Sequence, residues 1–421
     1  MYVRSKGAAI FALLFLLPLT SVNAADLGGD CCADLEERIS ELEATTARKG
    51  NRKVSLTISG WVSEQIVYWD DGEEQNVYLT SLGTAFASNF NFKGEAKISP
   101  DLSAGYVLHV EAITADVYTT TQDNDNGTGG LSVLYSYWFL KSDKLGKFSV
   151  GKLSPADDSA VVALDSSGTL QAAYWVAYDV FGFNVRGNFA ANDSLTWGNS
   201  SSCRGYGGGP GDCNGVPLNV VRYDTPVLGG FSGSASWGED DNWALAARYV
   251  GEVGAFKLAA VATYSETTDS GQGAPDGGAL EYTQASVYAQ HVPSGLFAQF
   301  AFGHLDQNEN PDDFPATDTY YVKAGNRLKL VPIGSTIPYG EYLHATDSAF
   351  IRNDNGTATT ADDTGRVVDG SSATFWGAGV VQEIDAASMS VWLRYRDHEV
   401  DVPGVDTEHI KTVVFGAFIP F

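Results

Sequence analysis

The chain has 421 residues, of which 52 are acidic and 26 basic, so its formal net charge at pH 7 is -26. Binding a polyanion requires clustered Lys and Arg, and this balance excludes nucleic acid as a partner. The 46 Gly, 20 Tyr, 21 Phe and 9 Trp, against 2 Met, are typical of strands and turns and not of a helical core.

The first residues predict export. Arg4 and Lys6 precede an apolar run at residues 8–19, and residues 22–24 (VNA) fit the rule for signal-peptidase cleavage. Residues 1–24 are therefore expected to be a cleaved signal peptide. No later stretch reaches the roughly 18 uninterrupted apolar residues of a membrane helix, so the exported chain is either secreted or crosses a membrane with strands.

The chain contains 4 cysteines, a vicinal pair at Cys31-Cys32 and a second pair at Cys203 and Cys213. In an oxidising compartment, Cys203 and Cys213 are expected to close a short disulfide loop. Neither has a second pair of ligands at zinc-site spacing, so we predict no metal, and no cofactor motif is present.

A short helical pattern follows the signal peptide, within residues 25–53. Leu35, Ile39 and Leu42 recur at helical spacing, with charged residues on the other faces. A stripe this short is marginal alone in water. We interpret it as a periplasmic helix held in a trimeric coiled coil or against a barrel floor, and the alternative is a frayed tail.

From Val54 onward the sequence period changes to two. Val54, Leu56 and Ile58 alternate with Ser55 and Thr57, as in a strand with one apolar and one polar face. Sixteen strands are predicted at residues 54–69, 85–98, 102–115, 131–142, 145–152, 219–225, 230–238, 243–251, 254–266, 281–292, 295–306, 318–330, 335–346, 374–384, 388–400 and 410–421. This count treats residues 153–218 as one connection, whereas two extra strands in residues 172–188 would raise it to eighteen.

The connections predict how the strands are arranged. Short turns such as Ser99-Pro100-Asp101 alternate with connections that are mostly longer and rich in Asp, Asn, Gly and Thr, such as residues 116–130 and 347–372. Membrane barrels show this asymmetry, with short periplasmic turns and long external loops. Lipid offers no hydrogen bonds, so a spanning sheet must close on itself. We therefore predict an all-β, transmembrane antiparallel β-barrel over residues 54–421.

The last strand carries the sharpest local signal. Apolar side chains occupy every second position up to the final aromatic residue, at Val413, Phe415, Ala417, Ile419 and Phe421. A soluble protein has no reason to expose such a strand, because its edge and its face would both invite aggregation. We interpret Phe415, Ala417, Ile419 and Phe421 as a C-terminal signal for the barrel-assembly machinery.

The alternation also assigns chemistry to the two faces. Apolar side chains face lipid and polar ones face inward, and about sixteen strands enclose a lumen too wide for side chains to fill. The sequence therefore predicts a passive, water-filled channel for small hydrophilic solutes and ions, and its acidity favours cations. Five aromatic residues near strand ends suit the interfacial girdles: Tyr68, Trp69, Trp138, Phe139 and Trp376.

Several segments resemble the porins of alphaproteobacteria, of the rhizobial outer-membrane type. They are residues 31–38 (CCADLEER), 44–56 (ATTARKGNRKVSL), 59–62 (SGWV), 94–98 (GEAKI), 138–142 (WFLKS), 221–226 (VRYDTP), 235–241 (ASWGEDD) and 378–382 (AGVVQ). The resemblance implies a homotrimer among outer-membrane lipid and lipopolysaccharide, with a third loop folded inward. Leu134-Tyr135 and Phe418 stand where relatives often carry basic or polar residues, which leaves pore selectivity open.

A constriction follows if the third loop, residues 153–218, enters the lumen. Asp157, Asp158 and Asp165 would then stand in the narrowest section. The basic residues on inward-pointing positions opposite them are Lys93, Lys97, Arg222, Arg394 and Arg396. Opposed acids and bases across a narrow gap would orient dipolar solutes. The alternative is that these acids belong to a solvated loop.

Other functional classes have weaker support. His109 and Glu111 share one face, and Arg394, Arg396 and His398 share another, which we interpret as polar lining and not as catalytic groups. Residues 123–127 (DNDNG) begin like a calcium loop, but Leu134 occupies the position of the closing Glu. The alternatives to a general diffusion channel are a substrate-specific channel, a secreted all-β binding protein or adhesin, and a barrel enzyme.

Overall fold

The computed structural model describes residues 54–83, 86–173, 178–201, 217–268, 279–307, 315–356 and 364–421. The predicted signal peptide, the N-terminal helical segment and the pair Cys203 and Cys213 lie outside the described residues. Within the described residues, no helix is long and apolar enough to cross a membrane.

The described chain folds into one closed antiparallel β-barrel of sixteen strands. In chain order these are β1 (Ser55–Asp70), β2 (Gln75–Ser81 and Asn89–Lys97), β3 (Leu102–Ile113), β4 (Gly130–Ser142), β5 (Gly146–Leu153), β6 (Leu218–Asp224), β7 (Phe231–Gly238), β8 (Trp243–Val253), β9 (Phe256–Thr267), β10 (Leu280–His291), β11 (Leu296–Gln307), β12 (Thr317–Asn326 and Leu328–Val331), β13 (Gly334–Thr346), β14 (Ser372–Ile384), β15 (Met389–Asp401) and β16 (Ile410–Pro420). The first and last strands pair from Trp61 with Pro420 to Asp70 with Lys411, which closes the sheet and leaves no free edge.

The strand count confirms the prediction of sixteen, and the alternative of eighteen is wrong. In the third connection, Leu170–Ala173 form one helical turn and Tyr178–Val180 a 3-10 turn. Strand β5 pairs directly with β6 across this connection, so none of its described residues enters the barrel wall. Described strand-forming residues there, such as Val180, Phe183 and Val185, pack inside the barrel instead.

The connections leave the barrel at two ends. One end of the barrel, called here the short-turn end, carries seven short connections, the start of β1 and the end of β16. The opposite, long-loop end carries eight connections: L1 (71–74), L2 (114–129), L3 (154–217), L4 (239–242), L5 (268–279), L6 (308–316), L7 (347–371) and L8 (402–409). L1 and L4 are short, so the predicted asymmetry holds for the majority of the loops and not for all.

Strand β2 is interrupted, a feature that the alternation did not reveal. Its first part pairs with the long-loop half of β1 and its second part with the short-turn half. The described residues between the two parts, 82–83 and 86–88, lie outside the ladder. Across this break, Ser81 N donates to Ala115 O at 3.1 Å and Ala112 N donates to Ser88 O at 2.7 Å. Strand β2 therefore begins earlier than the predicted residue 85, at Gln75.

The wall shows the expected two faces. In β6, Leu218, Val220 and Arg222 are buried, whereas Val221 and Tyr223 are exposed on the outside. Large apolar side chains are exposed on strands around the whole barrel, as a lipid-facing belt requires.

Two of the five aromatic residues expected in the interfacial girdles face the other way. Trp138 and Trp376 lie on the outer face, but Trp69 and Phe139 point inward and are 1% and 2% exposed. The strand period puts neighbouring residues on opposite faces, so Tyr68 and Trp69 cannot share a girdle, and neither can Trp138 and Phe139.

The third loop fills much of the barrel interior. Side chains of L3, including Val161, Leu164, Phe183 and Trp197, pack with inward residues of the wall in one continuous apolar cluster. A small sheet outside the barrel connects L7 to L3, through Phe350–Asn353, Thr364–Val367 and Asp193–Ser194. Loop L3 is thus held inside the barrel by apolar packing and at its outer end by pairing with L7.

Candidate functional site

The start of L3 is fastened to the wall through its main chain. Arg222 donates to the carbonyl oxygens of Ser154 at 3.0 Å and Pro155 at 2.9 Å. It also contacts Asp224, with its Nη2 2.8 Å from Oδ1. Next to it, Arg248 donates to the carbonyl oxygen of Ala156. Arg222, predicted to face the loop acids, is therefore neutralised by Asp224 and bonds to L3 carbonyls.

Asp157 and Asp158 are the next residues of L3, and both are buried inside the barrel. Gln284 of β10 donates to the main-chain oxygen of Asp157 at 3.0 Å. Gln299 of β11 does the same for Val161 at 3.1 Å. Two amide side chains on neighbouring strands thus fix the path of L3 across the lumen.

Asp165 pairs with a base that the sequence did not single out. Its Oδ2 accepts from Lys323 Nζ in β12, and both side chains are almost completely buried. Two residues after Asp165, the carbonyl oxygen of Ser167 accepts a hydrogen bond from Arg327 at 3.2 Å. Arg327 also donates to Glu383 Oε1 at 2.7 Å. This part of L3 is therefore held to β12 by one ion pair, and a hydrogen bond joins it to the Arg327–Glu383 ion pair of the wall.

The largest ionic cluster surrounds Asp179 of L3. Its carboxylate pairs with both Arg394 and Arg396 of β15, the second at 3.1 Å from Nη1 to Oδ2. Arg396 Nε also lies 2.8 Å from Glu341 Oε1 of β13. All four side chains are at most 5% exposed. Arg394 and Arg396, predicted to oppose loop acids, meet Asp179 and not Asp157 or Asp158.

Neutral groups complete this cluster. Tyr321 OH donates to Glu341 Oε2 at 2.8 Å, and Gln65 Oε1 accepts from Arg394 Nη2 at 3.1 Å. The carbonyl oxygen of Ala172, in the helical turn of L3, accepts from Arg394 and from Arg396. We call the wall that carries Lys323, Glu341, Arg394 and Arg396 the anchoring wall. Its charged groups face partners at hydrogen-bonding distance, the arrangement that makes burial of charge tolerable.

Lys93 and Lys97 are placed differently. Both are on the lumen face of β2 but are exposed, toward the short-turn end. Lys93 Nζ pairs with Glu95 Oε2 of its own strand at 3.0 Å. Among the described residues, neither lysine forms an ion pair with an acid of L3, so the structure brings together Arg394, Arg396 and an L3 acid but not these two lysines.

A second wall of the lumen is lined with rings. Trp61 lies 5.4 Å from Phe418 and 5.9 Å from His109, and His109 lies 5.3 Å from Tyr135, between ring centroids. Tyr137 and Phe139 continue along β4 from Tyr135 on the same face. We call this surface the aromatic wall; its rings are those of Trp61, His109, Tyr135, Tyr137, Phe139 and Phe418. Two positions at which the resemblance weakens, Tyr135 and Phe418, thus face the lumen.

At the long-loop end, L1 is joined to L3 by Asp71 and Arg186. Arg186 Nε lies 2.8 Å from Asp71 Oδ2, and Glu73 and Glu74 lie farther from the same guanidinium. Burial by itself raises the pKa of Asp71, but hydrogen bonds from Arg186, from the main chain of Glu73 and Glu74 and from Gln122 outweigh it and lower the pKa. The carboxylate of Asp71 therefore stays ionised and holds the two loops together.

The residues considered for catalysis line the lumen. His109 and Glu111 share the inner face of β3, and Arg394, Arg396 and His398 share that of β15, as the period predicted. Within the described residues, no group of three or more His, Cys, Asp or Glu side chains could hold a metal ion.

For each ion pair between L3 and the wall, the sequence predicted one of the two partners and missed the other. Arg222, Arg394, Arg396 and Asp165 were predicted, whereas Asp179 and the wall residues Lys323 and Glu341 were missed. Lys323 and Glu341 stand at inward positions of predicted strands, so the period could have indicated them. Nothing in the local pattern around Asp179 distinguishes it from other loop acids.

Comparison with known proteins identifies the family of this barrel. The family model described as Gram-negative porin matches residues 11–418. The chain belongs to the Gram-negative porin family. No curated protein sequence matches the chain.

Solved structures share the fold of this porin at low sequence identity. The anion-selective porin from Comamonas acidovorans is 16% identical with a TM-score of 0.53, over 87% of this chain and 100% of that one. The outer membrane channel DcaP of Acinetobacter baumannii is 10% identical with a TM-score of 0.53, over 89% and 100%. OmpF of Salmonella typhi, in complex with daunomycin, is 15% identical with a TM-score of 0.50, over 88% and 99%.

Family and barrel together give the location and the broad function. The protein is a multi-pass β-barrel of the bacterial outer membrane and a general diffusion channel. The short-turn end of such a barrel is periplasmic and the long-loop end external.

Proposed function

We propose that this porin passes small hydrophilic solutes and ions through an opening set by L3, with a mild preference for cations. The observation that carries the proposal is the pairing of L3 acids with the anchoring wall, at Asp165 with Lys323 and at Asp179 with Arg394 and Arg396. A loop held in the lumen by buried ion pairs keeps one position, so it can define a narrow section of fixed width.

The proposed constriction comprises Asp157, Asp158 and Asp165 of L3 with Lys93, Lys97, Arg222, Arg394 and Arg396 of the wall. Because Arg222, Arg394, Arg396 and Asp165 are engaged in buried pairs, we assign these four residues to holding L3 at the narrow section. The preference for cations is supported by the net charge, which is -26 for the full chain and about -28 after loss of Arg4 and Lys6 with the signal peptide.

Planar-bilayer recording tests this proposal. Wild-type protein should give stepwise conductance, and a KCl gradient should give a reversal potential of the sign for cation preference. Asp157→Asn combined with Asp158→Asn should move that potential toward anions. Asp401→Asn, in an exposed residue at the external end of β15, is the matched control and should leave it nearly unchanged. An unchanged potential in the double variant would remove Asp157 and Asp158 from the constriction.

We also propose that the functional unit is a homotrimer. The outer face of β1 carries Glu64 between Val62 and Ile66, next to the break in β2. Its carboxylate accepts from Thr114 Oγ1 at 2.9 Å and from Ser88 Oγ at 3.4 Å. A carboxyl group on the lipid-facing side of a barrel costs free energy. Contact with a neighbouring copy at this polar notch would remove that cost.

Substitution on the outer wall tests the trimer. Glu64→Trp should weaken a subunit contact and lower the temperature at which the oligomer dissociates on a gel. Val287→Trp, on an exposed outer position of β10, should have little effect, because Trp suits a lipid-facing surface. Equal dissociation temperatures for the two variants and the wild type would place the subunit contact elsewhere. Closure of single units in three steps in the bilayer would support the trimer independently.

Five further expectations stay proposals. We propose that the protein has no catalytic role, supported by its family and its barrel. The segments quoted above support an alphaproteobacterial origin of the rhizobial type. The predicted signal peptide and disulfide lie outside the described residues. Recognition by the barrel-assembly machinery is supported by the outward positions of Phe415, Ala417 and Ile419 on β16.

A further inference from the structure

One lysine of the lumen forms no ion pair within the described part of the chain. Lys147 is the second residue of β5, on the lumen face near the periplasmic end, and it is 9% exposed. Its Nζ lies 5.1 Å from the ring centroid of Tyr137 and 4.8 Å from that of Phe139. Among the residues that the structure describes, its ammonium group forms no ion pair and no hydrogen bond.

The acid closest along the ladder is already engaged. Asp224 of β6 stands directly opposite Lys147 in register. However, Asp224 Oδ1 accepts from Arg222 Nη2 at 2.8 Å and from Ser234 Oγ at 2.8 Å. The rings of Tyr137 and Phe139 attract the ammonium group through their quadrupoles, but they cannot neutralise its charge.

More positive charge surrounds the same rings. Lys141 of β4 stands directly opposite Lys147 on the other side. The Nζ of Lys93 lies 5.9 Å from the Phe139 ring. Like charges directly opposite each other in a sheet are destabilising, and an anion between them would remove the repulsion. Glu95 pairs with Lys93 at 3.0 Å and offsets part of this charge, which leaves Lys141 and Lys147 as the facing pair of like charges.

We propose that Lys147 and Lys141, positioned by the rings of Tyr137 and Phe139, bind small oxyanions in the periplasmic half of the lumen. Ligands of this chemistry are inorganic phosphate and small carboxylates, which accept charge-assisted hydrogen bonds from ammonium groups. This site rests on the proposed channel function. An anion binds here transiently during passage, whereas the acidic external loops favour cations at the external mouth of the pore. The site lies on the aromatic wall, away from the ion pairs that Asp165 and Asp179 form with the anchoring wall.

Anion-dependent conductance tests the site. With chloride as the permeant ion, phosphate or acetate added to the periplasmic side should lower the single-channel conductance of the wild type and reach saturation. Lys147→Gln should raise the half-saturating concentration about tenfold, the effect of losing one charge-assisted hydrogen bond. Lys147→Arg should retain saturation. Comparing phosphate with acetate shows which oxyanion binds more tightly.

Lys257 provides a matched control. It too is the second residue of a strand after a periplasmic turn and faces the lumen, but it stands directly opposite Glu252 in register. Lys257→Gln removes the same charge at a similar depth and should leave the half-saturating concentration unchanged. A wild type without saturation, or equal effects of Lys147→Gln and Lys257→Gln, would overturn the proposal. In both cases, conductance without added phosphate still tests the channel itself, so the two failures are distinguishable.

Discussion

The anchoring wall and the aromatic wall line the same lumen but satisfy their inward charges in different ways. On the anchoring wall, Arg394 and Arg396 meet Asp179, a carboxylate brought by L3. On the aromatic wall, Lys147 rests on the rings of Tyr137 and Phe139. The difference teaches that inward position fixes which side chains enter the lumen, whereas the path of L3 decides which of them are neutralised.

The two arrangements have different consequences. A buried guanidinium between two carboxylates holds the loop strongly, because removal of any member leaves an unpaired charge away from water. An ammonium group over rings is held by about 1 kcal/mol or somewhat more and remains available to a solute. We therefore expect variants of the anchoring wall to affect loop position and stability, and variants of the aromatic wall to affect mainly what passes.

The strongest test breaks the anchoring wall at Arg396. Arg396→Met should leave Asp179 and Glu341 facing each other without a shared cation, at a cost of about 3–5 kcal/mol. Loop L3 should detach, so that single-channel conductance rises and the thermal unfolding midpoint falls. Lys144→Met, in an exposed residue of the short turn between β4 and β5, is the control. An Arg396→Met channel with wild-type conductance would show that L3 is held without this cluster.

A double-variant cycle at Asp165 and Lys323 separates pairing from burial. Asp165→Asn alone should leave a buried ammonium group unpaired, at a cost of about 3 kcal/mol. Adding Lys323→Met should recover part of that loss, because no charge then remains to be paired. Thermal unfolding of the wild type, both single variants and the double variant measures the coupling, expected to lie within about 0.5–3 kcal/mol. Purely additive losses would contradict a direct ion pair.

Packing on the aromatic wall can be tested at Gly105. A Cβ added there would overlap the Phe139 ring and the Gly94 carbonyl oxygen. Gly105→Ala should therefore displace Phe139 and destabilise the barrel by about 1–3 kcal/mol, with a smaller change in conductance than Arg396→Met. At Gly233 the nearest heavy atoms would lie 3.6 Å away, so Gly233→Ala should be tolerated. Similar unfolding midpoints for the two variants would argue against close packing over Gly105.

The smallest expected effect concerns pH at the external rim. The folded-state pKa of Asp71 is lowered, so its contribution is complete above the unfolded value of about 4 and is lost as the pH falls through the folded value. At pH 5 the free energy of unfolding of the wild type should exceed that of Asp71→Asn by about 1 kcal/mol, and the difference should shrink toward pH 3. Thermal unfolding at the two pH values measures it. A difference that grows on acidification would contradict the sign.

The strands and their faces could be predicted because the barrel repeats one rule. Inward placement of Arg222, Arg394 and Arg396 follows from a period of two, which holds wherever no bulge intervenes. At Leu134 it fails: the register with β3 shifts between His109 and Val110, and Leu134 is buried together with Tyr135. The break in β2 is a failure of the same kind, because residues 82–83 and 86–88 carry no pattern that marks them as outside the ladder.

The contacts of L3 could not be predicted, since a loop has no period. The sequence placed Asp157, Asp158 and Asp165 in a loop expected to enter the lumen, but the partners depend on where each residue crosses the barrel. Gln284, Gln299 and Arg222 fix the earlier main chain of L3, and Asp179 reaches Arg394 further along it. The position of the Lys147 ammonium group over the Tyr137 ring could not be predicted either, because the two residues are on different strands.

The seam between β1 and β16 has a consequence for biogenesis. It joins segments from opposite extremes of the polypeptide, so the sheet cannot be completed until every intervening hairpin has been laid down. Contacts so distant along the chain make folding slow, and a half-built wall exposes two adhesive edges to its surroundings. Each newly made molecule must therefore be shielded from its neighbours for as long as the gap stays open.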